Sequence, residues 1–326
     1  MRDLLDILRK FQHARLLVVG DLMLDRFVWG EVERLSPEAP VPVLRVVSEN
    51  LRLGGAANVV NNVCSLGARA TACGIIGKDD AGKRIIAALR KVGASTGGVF
   101  ADGRFQTIQK SRIIASPHHQ QIVRLDREGR SPVSTRTLGK LRDFIRAKAV
   151  HYDGVIISDY GKGAVHAELL NALTQQSKKN IVCVVDPKKE NYQHYRFPTL
   201  ITPNKAEASE ASGIPIVDER SLSEAGDRLI RKWRADAVLI TRGSEGMSLF
   251  RPQRPVKHFP TEARDVFDVT GAGDTVVAAC ALALACGASF EDAAVIANVA
   301  AGFVGDEIGT VAVPIEKLTK SIREKI

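Results

Sequence analysis

The run Asp268-Val269-Thr270-Gly271-Ala272-Gly273-Asp274, followed at once by the apolar stretch 276–285, governs the reading of the chain. Its two glycines let the backbone turn tightly and come close to a ligand. A helix opening near Asp274 would point its free N–H groups and positive dipole end at an anion. A carboxylate beside a bound phosphate is repelled by it. Asp274 therefore makes chemical sense as the group that takes a proton from a hydroxyl attacking that phosphate. Taken alone, G-x-G-D is equally well a Gly-rich turn with an Asp N-cap; the rest of the chain weighs against that reading.

Apolar strand-like runs alternate with helical patterns along most of the length. Residues 16–20, 70–76, 155–158, 181–185, 200–202 and 238–241 read as buried strands. Residues 56–66, 82–92, 137–148, 168–177 and 222–233 read as helices between them. Continuous apolar strands separated by amphipathic helices predict an α/β fold, a mainly parallel central sheet covered on both faces. Two stretches break the alternation, about 26–53 with Pro37, Pro40 and Pro42, and about 105–126 with its polar–apolar period of two. They predict a small β-sheet lid built from two excursions of the chain, edge strands of the main sheet being the other reading. With no internal repeat and no linker composition, residues 1–326 are expected to form one domain.

Of 326 residues, 45% are hydrophobic and 25% charged, enough for a large core. The five cysteines are widely spaced among apolar residues, without a C-x-x-C pair or a His/Cys cluster. They predict buried thiols in a reducing compartment rather than disulfides or a metal site. The first residues carry acids where a secretory leader would be apolar, and the longest apolar run is too short for a bilayer. A cytoplasmic protein without membrane contact is expected. The net charge of +9 is dispersed, and 5% aromatic residues offer no stacking platform. A positive pocket for a phosphorylated small substrate accounts for that charge without nucleic acid.

Further motifs sit at strand ends, where α/β sheets bind ligands. Gly20-Asp21-Leu22-Met23-Leu24-Asp25 follows the first strand, and Asp25 could hold sugar hydroxyls or simply form a turn. Leu53-Gly54-Gly55-Ala56-Ala57-Asn58 opens a helix, lets a substrate approach the backbone and offers the Asn58 amide. Thr202-Pro203-Asn204-Lys205-Ala206-Glu207 reads as a capping box, or as Asn204 and Glu207 organising Mg²⁺ through its water shell. Thr241-Arg242-Gly243-Ser244-Glu245-Gly246 could wrap a nucleotide phosphate or ribose. Ser158-Asp159-Tyr160-Gly161-Lys162-Gly163 and Asp186-Pro187-Lys188 are charged loops at further strand ends, Lys188 being a candidate counter-charge for phosphate. A P-loop and a protein-kinase Gly loop are both absent, and a lone G-x-G late in the chain is a poor dinucleotide fingerprint.

Together these motifs resemble those of the ribokinase-like (PfkB) family of carbohydrate kinases. The D-V-T-G-A-G-D run resembles that family's C-terminal signature and 54–58 its N-terminal one, with N-x-x-E and T-R-G-x-x-G in order between them. Gly20 to Arg26, Arg34-Leu35-Ser36-Pro37-Glu38-Ala39-Pro40-Val41-Pro42-Val43, Gln120 to Asp126 and the S-D-Y-G-K-G loop look like the kinase domain of bacterial heptose 7-phosphate kinase/adenylyltransferases. The H-x-G-H nucleotidyl motif of the other half is missing from these residues, as in a stand-alone kinase or a truncated chain.

The resemblance implies ATP-dependent phosphorylation of O1 of D-glycero-β-D-manno-heptose 7-phosphate. The 1,7-bisphosphate so formed leads towards ADP-heptose and the lipopolysaccharide inner core. It implies Asp274 as general base, with Gly271, Ala272 and Gly273 around the transferring phosphoryl group. Asn204, Lys205, Ala206, Glu207, Thr241, Gly243, Gly246 and Asn298 would face the nucleotide. Asp25, Gly54, Gly55 and Asn58 would hold the sugar, and by charge Lys110, Arg112 or Arg34 would meet its 7-phosphate. Mg²⁺ would be reached from Glu207 through water, and Asp268 and Thr270 are candidates for a K⁺ site. Another ribokinase-like kinase, acting on a different sugar, a ketose phosphate or a nucleoside, stays open, as do a Rossmann-type oxidoreductase and a non-catalytic binding protein. Open lid edges predict a homodimer through the lid.

Overall fold

The computed structural model describes residues 2–116, 119–129, 132–177, 181–262, 270–304 and 309–325. Thirteen strands and ten helices lie in these segments. The strands are β1 Arg15–Gly20, β2 Leu22–Leu35, β3 Pro42–Gly55, β4 Arg69–Gly77, β5 Ser95–Asp102, β6 Ile108–Ser116, β7 Gln120–Arg127, β8 Gly154–Ser158, β9 Val182–Asp186, β10 Leu200–Ile201, β11 Ala237–Thr241, β12 Met247–Phe250 and β13 Lys257–Phe259. The helices are α1 Arg2–Lys10, α2 Ala56–Ser65, α3 Asp80–Lys91, α4 Thr135–Lys148, α5 Ala167–Ser177, α6 Lys205–Ser212, α7 Glu219–Trp233, α8 Ala272–Ala285, α9 Phe290–Ala301 and α10 Ile315–Glu324.

Nine strands form the main sheet in the order β13-β12-β11-β10-β9-β8-β1-β4-β5. Seven of them, β11 through β5 in that order, run parallel, and β12 and β13 add an antiparallel edge. Alternation along β1 shows why both faces are covered. Leu16 and Val18 pack into a layer with α2, α8 and α9. Leu17 and Val19 pack into the opposite layer with α4, α5 and α7. Helix α8 is apolar on every side because it is buried on every side, from Thr275 to Leu284. Among the described residues, no helix is long and apolar enough to cross a membrane.

The lid is a separate sheet in the order β3-β2-β6-β7. Strand β2 starts at Leu22, directly after β1, so the segment 20–25 is the root of the lid and not a loop. The chain returns at Gly55, whose φ of +55° suits glycine and whose missing Cβ would lie 2.6 Å from the Asp21 carbonyl oxygen. Ala56 N–H donates to that same carbonyl at 3.0 Å and opens α2. Strands β5, β12 and β13 escaped the sequence pattern. Gly97 and Gly98 interrupt β5, and the other two are only three to four residues long.

Candidate active site

The carboxyl ends of β1, β8 and β9, the root of the lid and the start of α8 converge on one set of side chains. Gly271 caps α8 with φ +88°, and a Cβ there would lie 2.9 Å from Asn58 Nδ2. A Cβ at Gly273 would meet nothing within 4 Å, so the backbone there borders open space. Asp274, in the first turn, is 4% exposed. Its Oδ2 accepts from Asn58 Nδ2 at 2.7 Å and its Oδ1 from the Tyr160 hydroxyl at 2.8 Å. Burial pushes the Asp274 carboxyl up to about 6, with Asp25 adding to the rise and Asn58, Tyr160 and Lys110 opposing it.

Asn58 is fixed by a relay through α2 and α8. Asn62 Nδ2 donates to the Asn58 carbonyl at 3.0 Å, and Thr275 Oγ1 donates to Asn62 Oδ1 at 3.0 Å. Asn58 Oδ1 is buried without a partner among the described residues. That is the cost a site carries when a ligand hydroxyl is meant to complete it.

Asp25 faces the same space from β2. Its carboxylate pairs with Arg112 of β6 at 2.9 Å, the two side chains being 6% and 14% exposed. A Cβ on Gly54 would lie 2.7 Å from Asp25 Oδ2, so glycine there makes room for the carboxylate. The lid register sets Arg52, Asp25 and Lys110 side by side on neighbouring strands. Arg52 and Arg112 both stack on Phe27, at 5.9 and 5.2 Å. Arg52 also donates to the Thr310 carbonyl at 2.9 Å, while Thr310 Oγ1 donates to the Leu53 carbonyl at 3.1 Å. Lys110 Nζ lies 5.7 Å from the Tyr160 ring centre.

One expected residue falls elsewhere. Arg34 is exposed near the far end of β2, paired with Val43. It is nine residues beyond Asp25 on one strand, roughly 30 Å at strand rise, so the structure does not bring it into this site. Charge alone suggested it, and the long strand β2, with register shifts at Trp29/Gly30 and Val32/Arg34, carries it away. Asp268 lies outside the described residues, whereas Thr270 is partly buried at the start of the α8 turn.

All the residues expected at the nucleotide except Asn298 lie at or just after the ends of β10 and β11. Asn204 caps α6, accepting from Glu207 N–H at 2.9 Å, while Glu207 Oε2 accepts from Asn204 N–H at 3.1 Å. Glu207 Oε1 also takes a 3.0 Å bond from Lys188. Asn204 bridges to Thr241, and the turn after it uses positive φ at Gly243 and Gly246. Lys205 lies 3.9 Å from Glu245. Ala206 lines an open hollow with Lys188, Asn204 and Glu207. Asn298, on α9, spends its amide on the Pro260 carbonyl at 2.6 Å.

Asp186 and Tyr160 had only a loop position in the sequence reading. Asp186, at the end of β9, has its carboxyl held well above the usual range by burial and by the facing Asp274, Glu207 and Asp159, with Lys188 opposing. An acidic excess of this kind suits a divalent cation.

A family profile described as pfkB family carbohydrate kinase matches residues 13–318. The chain is 48% identical over 304 residues to "Bifunctional protein HldE" of Geobacter metallireducens, covering 92% of this chain and 62% of that one. It is 44% identical over 322 residues to the protein of the same name from Citrifermentans bemidjiense, covering 98% and 66%. The chain thus spans just under two thirds of the length of these relatives. Its structure is similar to phosphofructokinase-2 from Escherichia coli in complex with potassium, with TM-score 0.80 at 19% identity over 94% of this chain and 97% of that one. It is also similar to Arabidopsis thaliana ribokinase complexed with ribose and ATP, with TM-score 0.72 at 22% identity over 94% and 99%. The fold is therefore ribokinase-like, as the strand and helix alternation with a separate lid sheet implies.

Proposed function

The chain belongs to the pfkB family of carbohydrate kinases, and on that premise we propose that it transfers the ATP γ-phosphate to O1 of D-glycero-β-D-manno-heptose 7-phosphate. The product is the 1,7-bisphosphate, which leads towards ADP-heptose and the lipopolysaccharide core. The observation that carries this reading is Asp274, a buried carboxylate held on both oxygens in the first turn of α8, directly after the glycine turn that opens that helix.

Asp274 takes the acceptor hydroxyl proton as the new O–P bond forms. The amides of 271–273 and the α8 dipole steady the charge on the phosphoryl oxygens. Asn58 Oδ1 accepts a sugar hydroxyl, and Asp25 takes another. Lys110 and Arg112 offer positive charge from the lid to the distal phosphate. Glu207 would hold Mg²⁺ through water, close to the potential of Asp186; bound Mg²⁺ supplies charge neutralisation on the β- and γ-phosphates. A K⁺ site at Thr270 and Asp268 is part of the same proposal. So is a homodimer through the lid, supported by the exposed Val46, Val47 and Leu51 on β3 and Ile122, Val123 and Leu125 on β7, both edge strands. Five unpaired thiols support a cytoplasmic setting.

The test is ADP release from Mg·ATP with the heptose 7-phosphate, compared with fructose 6-phosphate, ribose, adenosine and no sugar. Turnover confined to the heptose phosphate supports the substrate. Turnover with another acceptor keeps the kinase and discards the heptose. The same protein in light scattering should weigh twice one chain; a monomer would overturn the lid dimer.

A further inference from the structure

The loop after β8 is held far more tightly than a connection requires. Asp21, 1% exposed, accepts from three backbone N–H groups of that loop: Tyr160 at 2.9 Å, Lys162 at 3.1 Å and Ala164 at 3.0 Å. Asp159 anchors the same loop from below, accepting from the Tyr195 hydroxyl at 2.6 Å, Asn191 Nδ2 at 2.7 Å and Gly161 N–H at 2.8 Å. Two buried carboxylates are costly unless fully bonded, and here four of these six bonds take backbone N–H groups at and just after Tyr160, while Tyr195 and Asn191 tie down Asp159 directly before it. The side chain delivered by this clamp reaches Asp274, 2.8 Å from hydroxyl to Oδ1.

We infer that Tyr160 is a positioning residue for phosphoryl transfer, its hydroxyl orienting the Asp274 carboxylate towards the acceptor and favouring its charged form. This rests on Asp274 being the general base. With Asn58 on Oδ2 and Tyr160 on Oδ1, the carboxylate plane is fixed and its remaining lone pairs face the acceptor. In the step, the acceptor O–H proton passes to Asp274, the acceptor O–P bond forms, and the bond from Pγ to the bridging oxygen breaks with its electron pair leaving on ADP. Tyr160 keeps its proton throughout. Burial and the facing carboxylates of Asp274, Asp186 and Asp25 hold the phenol well above its ordinary pKa, so it acts only as a donor. Around the pair, Asp25 from β2 and Asp186 from β9 add negative charge, and Lys110 from β6 is the opposing cation. The Tyr160 bond therefore acts where like charges would otherwise drive a proton onto the base.

The experiment is Tyr160→Phe beside Asp274→Asn, with kcat and KM followed across pH. Loss of one hydrogen bond to a charged group should lower kcat about tenfold to a hundredfold, with both KM values within about twofold. The acid limb of kcat/KM should move to higher pH, because a carboxylate without its donor binds a proton more readily. An unmoved limb, with kcat either unchanged or lowered equally at every pH, overturns the inference. An active Asp274→Asn enzyme sinks the base assignment itself, which separates the two failures. Should the Phe variant not fold, 3-fluorotyrosine at 160 decides the question. It is a stronger donor, so the limb should move to lower pH, and a stationary limb would again overturn the role.

Discussion

On the acceptor side of the cleft, Asp274 is held by residues 114 and 216 positions away, and Asp25 by Arg112, 87 positions away. Along the ends of β10 and β11, where we place the nucleotide, Asn204 and Glu207 bond each other three positions apart, and Arg242 holds Glu245 three positions away. The first set of bonds exists only when the whole fold is in place. The second can form within a single turn. Acceptor chemistry is thus coupled to tertiary structure throughout, whereas the nucleotide strip builds on local caps and is tied to the rest of the fold at a few points, such as Lys188 to Glu207 and Arg242 to Glu219.

Asp274→Asn tests the contrast at its strongest. Turnover should fall on the order of 10³- to 10⁴-fold, since the proton acceptor is gone. Stability should move the other way. The folded Asp274 carboxyl is raised from 3.8 to about 6, so the folded state binds the proton more tightly than the unfolded chain. Folding is therefore penalised as pH rises through that window, by up to about 3 kcal/mol above it. At pH 7 the Asn variant should melt at or above the wild-type temperature, and the difference should shrink towards pH 4. A variant melting well below wild type would mean that the carboxylate stabilises the fold. In the wild-type enzyme, activity should drop as pH falls through about 6, as the base takes up its proton.

Arg112→Met comes next. It leaves Asp25 buried and unpaired beside Phe27. Breaking such a pair from one side should cost about 3 kcal/mol in denaturant unfolding. Adding Asp25→Asn should recover part of that stability while leaving the acceptor KM high. If the single variant unfolds like wild type, the ion pair is not the structural tie that its burial implies.

The sequence made the acceptor side legible only where backbone punctuation marks it. Gly20, Gly55 and Gly271 mark the ends of elements, and Asp25, Asn58 and Asp274 follow them within a few residues. Tyr160 sits beside Gly161 in a loop marked in the same way, but its role did not show, because its partner lies 114 positions on and the packing of α8 against β8 brings the two together. Arg34 failed for the converse reason: its charge was visible, but the length of β2 was not. Six of the seven parallel strands were legible because they are buried on both faces and mostly apolar, whereas β5, with two glycines and half-exposed positions, was not. The antiparallel edge of β12 and β13 was too short to show a period.

Asn204→Ala should give the smallest effect, and it tests the other half of the contrast. The side chain accepts one bond, from Glu207 N–H, and Glu207 returns one to the Asn204 backbone, which alanine still provides. Losing the cap should cost about 1 kcal/mol of stability. KM for Mg·ATP should change by no more than a few-fold, because the Glu207 carboxylate keeps its Lys188 partner at 3.0 Å and hence much of its position. Glu207→Ala removes both the return bond and the carboxylate. It should therefore cost similar stability yet raise the Mg²⁺ concentration needed for half-maximal rate. Equal kinetic effects from the two substitutions would mean that Asn204 also touches the nucleotide, and its role would no longer be that of a local cap.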